Sequence, residues 1–575
     1  MRKLISAVIA VLLIFIMALT LLPAMPRLSA PATVLAATDA AGLNKAYWPL
    51  NDKYIAALNS SDNDGIISSG QAIIDLFLAG ADPAAKAAEW AAGGHMELDI
   101  LRGVTESVAE AHEALGDYEK AKAAYELALP VAVAWQELNA PVDTEFVRTI
   151  MQNKIDSYNV GVSVYAEIQG EGGEVSYQGA KFEPKTGVYY GEVHTQNPAE
   201  ALQSAKTPSA GLFYVRYETE TIESFDWVLR PLAQTRDILE IAWNVAGEGS
   251  TLPIVPNESA KIQAAADYLA SLKIPVLLRF GAEMNVWQNK ADPEQFKTAF
   301  KLVSGIMKER ALNVAMLWSP GATGHIETTY DMFYPGDEYV DWVGVSLYTV
   351  KYFLGRNDLD DEGQAMYGTD QYANPVKKLA EIVRQYGDRK PIILSECGVE
   401  NYSVTNNEDV TDWAANQLRA TYQALPMIYP QVKAILYFNT FVEGLNEANR
   451  YTLYDNAALG PLYDELTSGS YFLSKGQTAS AVTYKKLETG VSIPANAVTL
   501  LTYAPYIKKP NISVTYLVDG VWTAASGLPA YKQTFDLSSL ADGAHTITVR
   551  VASNTEVLSV AEFNVIKNGG YVVIQ

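Results

Sequence analysis

The sequence predicts an α/β protein built around a (β/α)8 TIM barrel. A small all-α region precedes the barrel and a β-sandwich follows it. Three observations predict this. Helical periodicity holds from about residue 43 to 157. Apolar strands then alternate with amphipathic stretches between about 180 and 475. After about 488 the helical period disappears, and short Val/Ile/Thr/Tyr runs alternate with Gly, Pro and Asp turns. The chain of 575 residues is longer than one hydrophobic core usually serves.

The first 37 residues read as a secretory signal: Arg2 and Lys3, an apolar stretch from Leu4 to Met25, then a flank of small residues ending near Ala36 and Ala37. The stretch is almost long enough to span a bilayer, so a retained N-terminal anchor is the alternative. Either way the expectation is a secreted or cell-surface protein. Cys397 is the only cysteine, so no intrachain disulfide can form. The formal net charge of −23 disfavours nucleic acid and anionic lipid as partners and suits a neutral one.

In the 43–157 region, "AHEALGDYEKAKAAYELALP" (111–130) sets Ala, Leu and Tyr at three- and four-residue spacing around a Gly116-Asp117 break. It resembles one tetratricopeptide-type helix pair, but one repeat cannot make a solenoid, and an ordinary small helical domain is the favoured reading of the pattern. The expected role is packing, or contact with a protein or cell-envelope partner, rather than chemistry.

Eight apolar runs make the barrel: "GVYYGEV" (187–193), "AGLFYVRYE" (210–218), "ILEIAWNV" (238–245), "IPVLLRF" (274–280), "NVAMLWSPG" (313–321), "VDWVGVSLY" (340–348), "KPIILSECGV" (390–399) and "VKAILYFNT" (432–440). An open doubly wound sheet competes, but no Gly-rich phosphate loop follows the first strand. The last region, 488–575, contains "LADGAHTITVRV" (540–551), which looks like bacterial immunoglobulin-like modules.

Chemistry in a barrel gathers at the carboxyl ends of its strands. Glu192, Glu248, Glu283 and Glu396 sit near such ends. Strands four and seven are three apart in a ring of eight, so Glu283 and Glu396 can meet across the mouth. Retaining glycosidases need two carboxyl groups about 5–5.5 Å apart. At that separation one keeps its proton and serves as the acid, while the ionised one attacks. Cys397, beside Glu396, lacks a nearby His signature and reads as a buried apolar residue; His194 and His325 show no metal-ligand spacing. No metal and no cofactor are expected.

These residues also carry a resemblance. "RFGAEMN" (279–285), "WSP" (318–320), "FYPGDEYVDWVGVSLY" (333–348) and "ILSECGVEN" (393–401) resemble the strand-four to strand-seven motifs of glycoside hydrolase family 26, which contains β-mannanases and relatives acting on other β-glycans. The resemblance implies Glu283 as acid/base and Glu396 as nucleophile. It implies that Tyr348 holds Glu396 by a hydrogen bond and that Arg279 helps keep it ionised. Trp243, Trp287, Trp318 and Phe438 are candidates for stacking on sugar faces, with Asn285 and Glu192 as further substrate contacts, whereas Trp342 and Tyr437 read as core. The chain departs from the family pattern at Ala282, where the family has His, at Ser346 in place of Asp and at Gly321 in place of Asn.

The expected function is a secreted retaining β-glycanase acting on a β-linked polysaccharide, mannan-type favoured. The alternative is a catalytically degenerate barrel that binds glycan at the cell surface, for which Ala282 is the supporting feature.

Overall fold

The computed structural model describes residues 41–575 apart from 94–95, 116, 142–143, 159–161, 171–172, 194–205, 246–251, 253–254, 287–291, 323–328, 352–373, 405, 440–448, 505–511 and 555. The leader expected at 1–37 lies outside the described residues. The chain divides into two compact units, one within Phe15–Val160 and one made of Gly161–Pro505 with Lys509–Gln575.

The first unit is helical: Ala41–Ser60, Asn63–Leu78, Pro83–Gly93, Met96–Ala114, Tyr118–Asn139 and Thr144–Tyr158. Asp62 caps the second helix by accepting from the Gly65 amide at 3.1 Å, which satisfies one of the orphan donors of its first turn. The unit has its own core, with Ile73, Leu98, Leu101 and Val131 fully buried. Trp135 donates to Asp99 at 2.6 Å, and the Arg102 guanidinium lies over its ring at 4.0 Å.

In the second unit eight parallel strands close on themselves. They are β1 (Val188–Val193), β2 (Ala210–Arg216), β3 (Ile238–Asn244), β4 (Val276–Phe280), β5 (Val314–Trp318), β6 (Trp342–Thr349), β7 (Ile392–Val399) and β8 (Val432–Tyr437). Each pairs with the next, and β8 pairs back onto β1, with Ala434 opposite Tyr189. A parallel sheet is buried on both faces, which is why these strands read as near-continuous apolar runs.

Alternation along each strand divides the side chains between two cores. Ala210, Leu212, Ile238, Ala242, Leu277, Ala315, Leu317, Trp342 and Ile393 fill the interior of the barrel. Phe213, Leu239, Ile241, Trp243, Leu278, Phe280, Met316 and Trp318 face the surrounding helices. Phe182 packs against the interior cluster, and the Trp342 indole donates to the Lys181 carbonyl at 2.7 Å.

The crossover helices include Asp226–Thr235, Ser259–Leu272, Pro293–Arg310 and Pro375–Tyr386. The last two start the same way, with a polar cap before a proline. Asp292 accepts from the Gln295 amide at 2.8 Å and Asn374 accepts from the Val376 amide at 3.0 Å. Proline at the first helical position loses no intrahelical bond there.

The C-terminal region forms two antiparallel sheets. One has six strands, in the order Ser492–Pro494, Tyr571–Ile574, Val557–Asn568, Gly543–Ala552, Ser513–Val518 and Val521–Ser526. The other has four, and its second strand is Ser163–Gln169, which precedes the barrel in the chain and pairs with Val482–Lys486 and Val498–Tyr503. This strand lies outside the four ranges expected from sequence. The two sheets are joined through Tyr516, whose hydroxyl lies 2.7 Å from that of Thr502. Tyr165, Leu501 and Ala530 belong to the same core cluster as the outer face of the barrel.

Candidate active site

Arg279 is the last interior-facing residue of β4 and is 1% exposed. A guanidinium that deep in a barrel is costly unless it is paired and hydrogen-bonded. Three carboxyl groups surround it. Nη1 lies 3.0 Å from Glu396 Oε2 and 3.7 Å from Glu240 Oε1, and Nη2 lies 3.8 Å from Glu283 Oε1. Nη2 also donates to the Ser346 hydroxyl. Burial works against the Arg279 charge, but Glu396, Glu240 and Glu283 together outweigh it and hold the group firmly protonated.

Glu396 reaches the mouth through an irregularity in β7. The register between β6 and β7 slips between Val345 and Ser346, so that Leu394 pairs with Val345 but Glu396 with Ser346. Ile393 therefore faces the interior, Leu394 and Cys397 face outward, and Glu396 returns to the inside. A bulge of this kind re-aims one side chain without ending the strand. Glu396 accepts from Tyr348 on β6 and from Tyr214 on β2, the latter at 2.6 Å. Burial first, and Glu396 second, raise both phenols well above their ordinary range, so both stay donors.

Glu283 sits in the tight segment after β4. Its φ is 54°, in the left-handed region, and Gly281 two residues earlier has a φ of 60°. The Glu283 amide donates to the Ser319 carbonyl at 2.9 Å, which ties the segment to the end of β5. A non-glycine residue in this region costs about 1–3 kcal/mol and is retained where neighbouring structure holds it, characteristically at functional sites. Here the backbone turn aims the carboxylate back at Arg279.

Of the residues expected from sequence, Glu283, Glu396, Arg279 and Tyr348 come together at the carboxyl end of the barrel, and Phe438 stands beside them. The Phe438 ring centroid lies 5.9 Å from that of Tyr348 and 6.5 Å from that of Tyr214. The other sugar-contact expectations are corrected by strand alternation. Trp243 and Trp318 are fully buried on the helix-facing side; Trp318 donates to the Phe333 carbonyl at 3.1 Å and packs on Tyr334 and Tyr386. Neither offers a face to a ligand.

Asn285 is buried as well. Its amide clamps the main chain of Gly321, donating to the carbonyl at 2.9 Å and accepting from the amide at 2.8 Å. Glu192 alternates with the interior residues Tyr189 and Val193 and so lies on the other side of β1. There it accepts from Asn439 at 2.8 Å and from Tyr454 at 3.4 Å, and burial raises its pKa. It ties β1 to the segment after β8 and is separate from the Arg279 cluster. Trp287, like Glu248, His194 and His325, lies outside the described residues.

Two members of the cluster were not anticipated. Tyr214 follows Ala210 and Leu212 in the interior phase of "AGLFYVR", and Glu240 lies between Ile238 and Ala242 in "ILEIAWN". A polar residue interrupting the apolar interior phase of its strand was the available signal for both. The departures from the family pattern also acquire a structural account. The Ser346 hydroxyl accepts from Arg279, and Gly321 engages Asn285 through its main chain. Ala282, 8% exposed, presents only a methyl beside Glu283. Among the described residues no group of three or more His, Cys, Asp or Glu is placed to hold a metal ion. Arg279 already supplies the positive charge at the centre of these acids.

A closed parallel barrel with two acidic side chains and an arginine at the carboxyl rim defines a class of enzyme scaffold in which loop and strand-end residues carry the chemistry. Residues 217–420 match the model for Glycosyl hydrolase family 26, a span that includes both Glu283 and Glu396. The barrel region is thus similar to that of family 26 glycoside hydrolases, a match that supports a glycoside hydrolase.

Solved structures resemble the chain more distantly. A double mutant of an endo-β-1,4-mannanase from Cellulomonas fimi is 15% identical, with a TM-score of 0.36, over 68% of this chain and 100% of that one. A family 26 β-mannanase from Bacteroides ovatus is 16% identical, with a TM-score of 0.37, over 52% of this chain and 93% of that one. The catalytic domain of a family 26 endo-β-1,4-mannanase from Bacillus sp. JAMB-750 is 14% identical, with a TM-score of 0.37, over 54% of this chain and 96% of that one. At these scores no argument rests on the likenesses. No curated protein matches the chain, and the comparisons lend no support to a partner for the helical unit.

Proposed function

We propose that this glycoside hydrolase is a secreted β-glycanase that cleaves by double displacement with retention, with mannan-type polysaccharide as its favoured substrate. The observation that carries the mechanism is the engagement of Glu283 and Glu396 by the two Nη atoms of one guanidinium. Both carboxyl groups then reach one guanidinium from the interior side of the rim, which supports a division of labour between attack by one and protonation by the other.

Three donors, Tyr214, Tyr348 and Arg279, converge on Glu396 and suit it to the role of anionic nucleophile. It attacks the anomeric carbon as the glycosidic bond breaks, and Glu283 gives its proton to the departing oxygen. A covalent glycosyl-enzyme forms on Glu396. Glu283, now ionised, takes a proton from water, whose oxygen attacks the same carbon and frees Glu396. Phe438 is suited to pack against the apolar face of the sugar. The preference for mannan rests on the sequence motifs around Glu283 and Tyr348, and secretion rests on the leader at 1–37.

The test is reducing-sugar release from β-mannan, mixed-linkage β-glucan and xylan by the full-length mature protein. Release from β-mannan above the others supports the whole reading. Release from another of these polymers keeps the mechanism and overturns the mannan preference. Binding with no cleavage of any polymer overturns the glycanase reading.

A further inference from the structure

Glu240 has no place in the steps above, yet it occupies the interior of the barrel. Its side chain is wholly buried on β3, between Ile238 and Ala242 of the apolar interior cluster. Neither carboxyl oxygen has a hydrogen-bond partner among the described residues. Its one counter-charge among the described residues is Arg279, at 3.7 Å, and that guanidinium stands closer to Glu396, at 3.0 Å.

An ionised carboxylate in such surroundings would lack both solvation and a hydrogen bond, which is among the most unfavourable placements a charge can have. The groups facing it from neighbouring strands are Arg279 on β4, Glu396 on β7 and Tyr214 on β2. They supply one cation, one further acid and one phenol that stays protonated.

We propose that Glu240 is a positioning residue held as a neutral carboxylic acid, seating Arg279 between Glu283 and Glu396 without competing for its charge. Burial pushes the Glu240 carboxyl well above its ordinary range; Arg279 opposes that shift and Glu396 adds to it. Taken with the proposed double displacement, a neutral Glu240 keeps the cluster balanced throughout the cycle. Before glycosylation the single anion is Glu396. After it, Glu396 is an ester and the single anion is Glu283. In both states one carboxylate faces one guanidinium, so no net charge is created in the barrel interior. An ionised Glu240 would leave an uncompensated negative charge at each stage.

The protonation state does not depend on the substrate reading, so the test has two arms on the full chain. In the first, infrared difference spectra of wild type against E240Q near neutral pH are expected to show the loss of a protonated-carboxyl C=O stretch. Loss of ionised-carboxylate bands instead overturns the proposal. In the second, E240A is expected to lower kcat by about tenfold to a hundredfold by letting Arg279 move. E240Q, neutral and of the same shape, is expected to recover kcat to within about threefold and to leave the acidic limb of the kcat/KM profile where it was. An E240Q enzyme as slow as E240A, or one whose acidic limb moves, overturns the proposal. If E240A does not fold, the E240Q profile and the infrared arm still decide. A wild type that cleaves no glycan removes the functional reading and leaves the infrared result to stand on its own.

Discussion

Arg279 Nη1 lies 3.0 Å from Glu396 Oε2, across the interior of the barrel from β4 to β7. The two residues are 117 apart in sequence, and this contact joins the two halves of the site. Removing the guanidinium leaves a carboxylate without its only cationic partner among the described residues. Arg279→Met is expected to destabilise the protein by about 3–5 kcal/mol, the cost of breaking a buried pair from one side, and to abolish turnover. Arg279→Lys should restore some stability and little activity, because a point-like ammonium cannot span the two acids. Thermal unfolding and kcat, measured side by side, check both.

Of the two tyrosines on Glu396, the sequence brought out Tyr348 and not Tyr214. Each donates a charge-assisted bond worth about 1.5–3 kcal/mol. Tyr348→Phe and Tyr214→Phe should therefore each lower kcat by about 10- to 100-fold, at 1.36 kcal/mol per factor of ten. KM is expected to change much less, since the lost contact is to the attacking carboxylate. A Tyr214→Phe enzyme with wild-type kcat would remove Tyr214 from the nucleophile's support.

The aim of Glu283 depends on backbone conformation. A Cβ placed on Gly281 would lie 3.0 Å from Phe296 Cε2, in a residue whose φ is +60°. Gly281→Ala is expected to cost about 1–2 kcal/mol from the left-handed backbone alone. It should also displace the acid two residues on, lowering kcat more than the stability loss explains. Glu283→Ala removes the proton donor outright and should cost about 10²–10⁴-fold in kcat. A substrate with a good leaving group, which needs no protonation, should recover much of that loss.

The raised pKa of Glu240 has a thermodynamic consequence with a definite sign. Above the ordinary Glu value of 4.5 the unfolded chain has released a proton that the folded chain keeps. The folded state then binds more protons, so stability falls as pH rises from that value toward the folded-state pKa. E240Q has no such proton. Its melting temperature relative to wild type is therefore expected to increase as pH is raised from about 4.5 toward neutrality. A difference that is flat across that range would mean that Glu240 titrates alike in both states.

The legible part of this protein was the part that repeats or alternates. Apolar runs with helical crossovers marked all eight barrel strands, because parallel strands buried on both faces need little polar punctuation. Strand ends brought out Glu283 and Glu396, and the family resemblance added Arg279 and Tyr348. The errors came from the phase of side chains along single strands. Trp243 and Trp318 sit one step out of phase with the interior, and burial of both faces hides that phase from a reader of apolar letters. Glu396 points inward through a register slip that composition does not announce. Tyr214 and Glu240 were passed over inside apolar runs, although each interrupts the apolar interior phase of its strand. The Ser163–Gln169 strand was missed because its partners lie more than 300 residues further on in the chain.

The central claim is that Glu283 and Glu396 act on one anomeric carbon in two successive displacements. It is tested most directly by following β-mannan cleavage, or that of whichever β-glycan the enzyme cuts, by proton NMR from the first turnover, before the new reducing ends mutarotate. The β-anomer appearing first, with the α-anomer following only as mutarotation proceeds, is the result this account predicts. The α-anomer appearing first would mean a single inverting displacement and would contradict it.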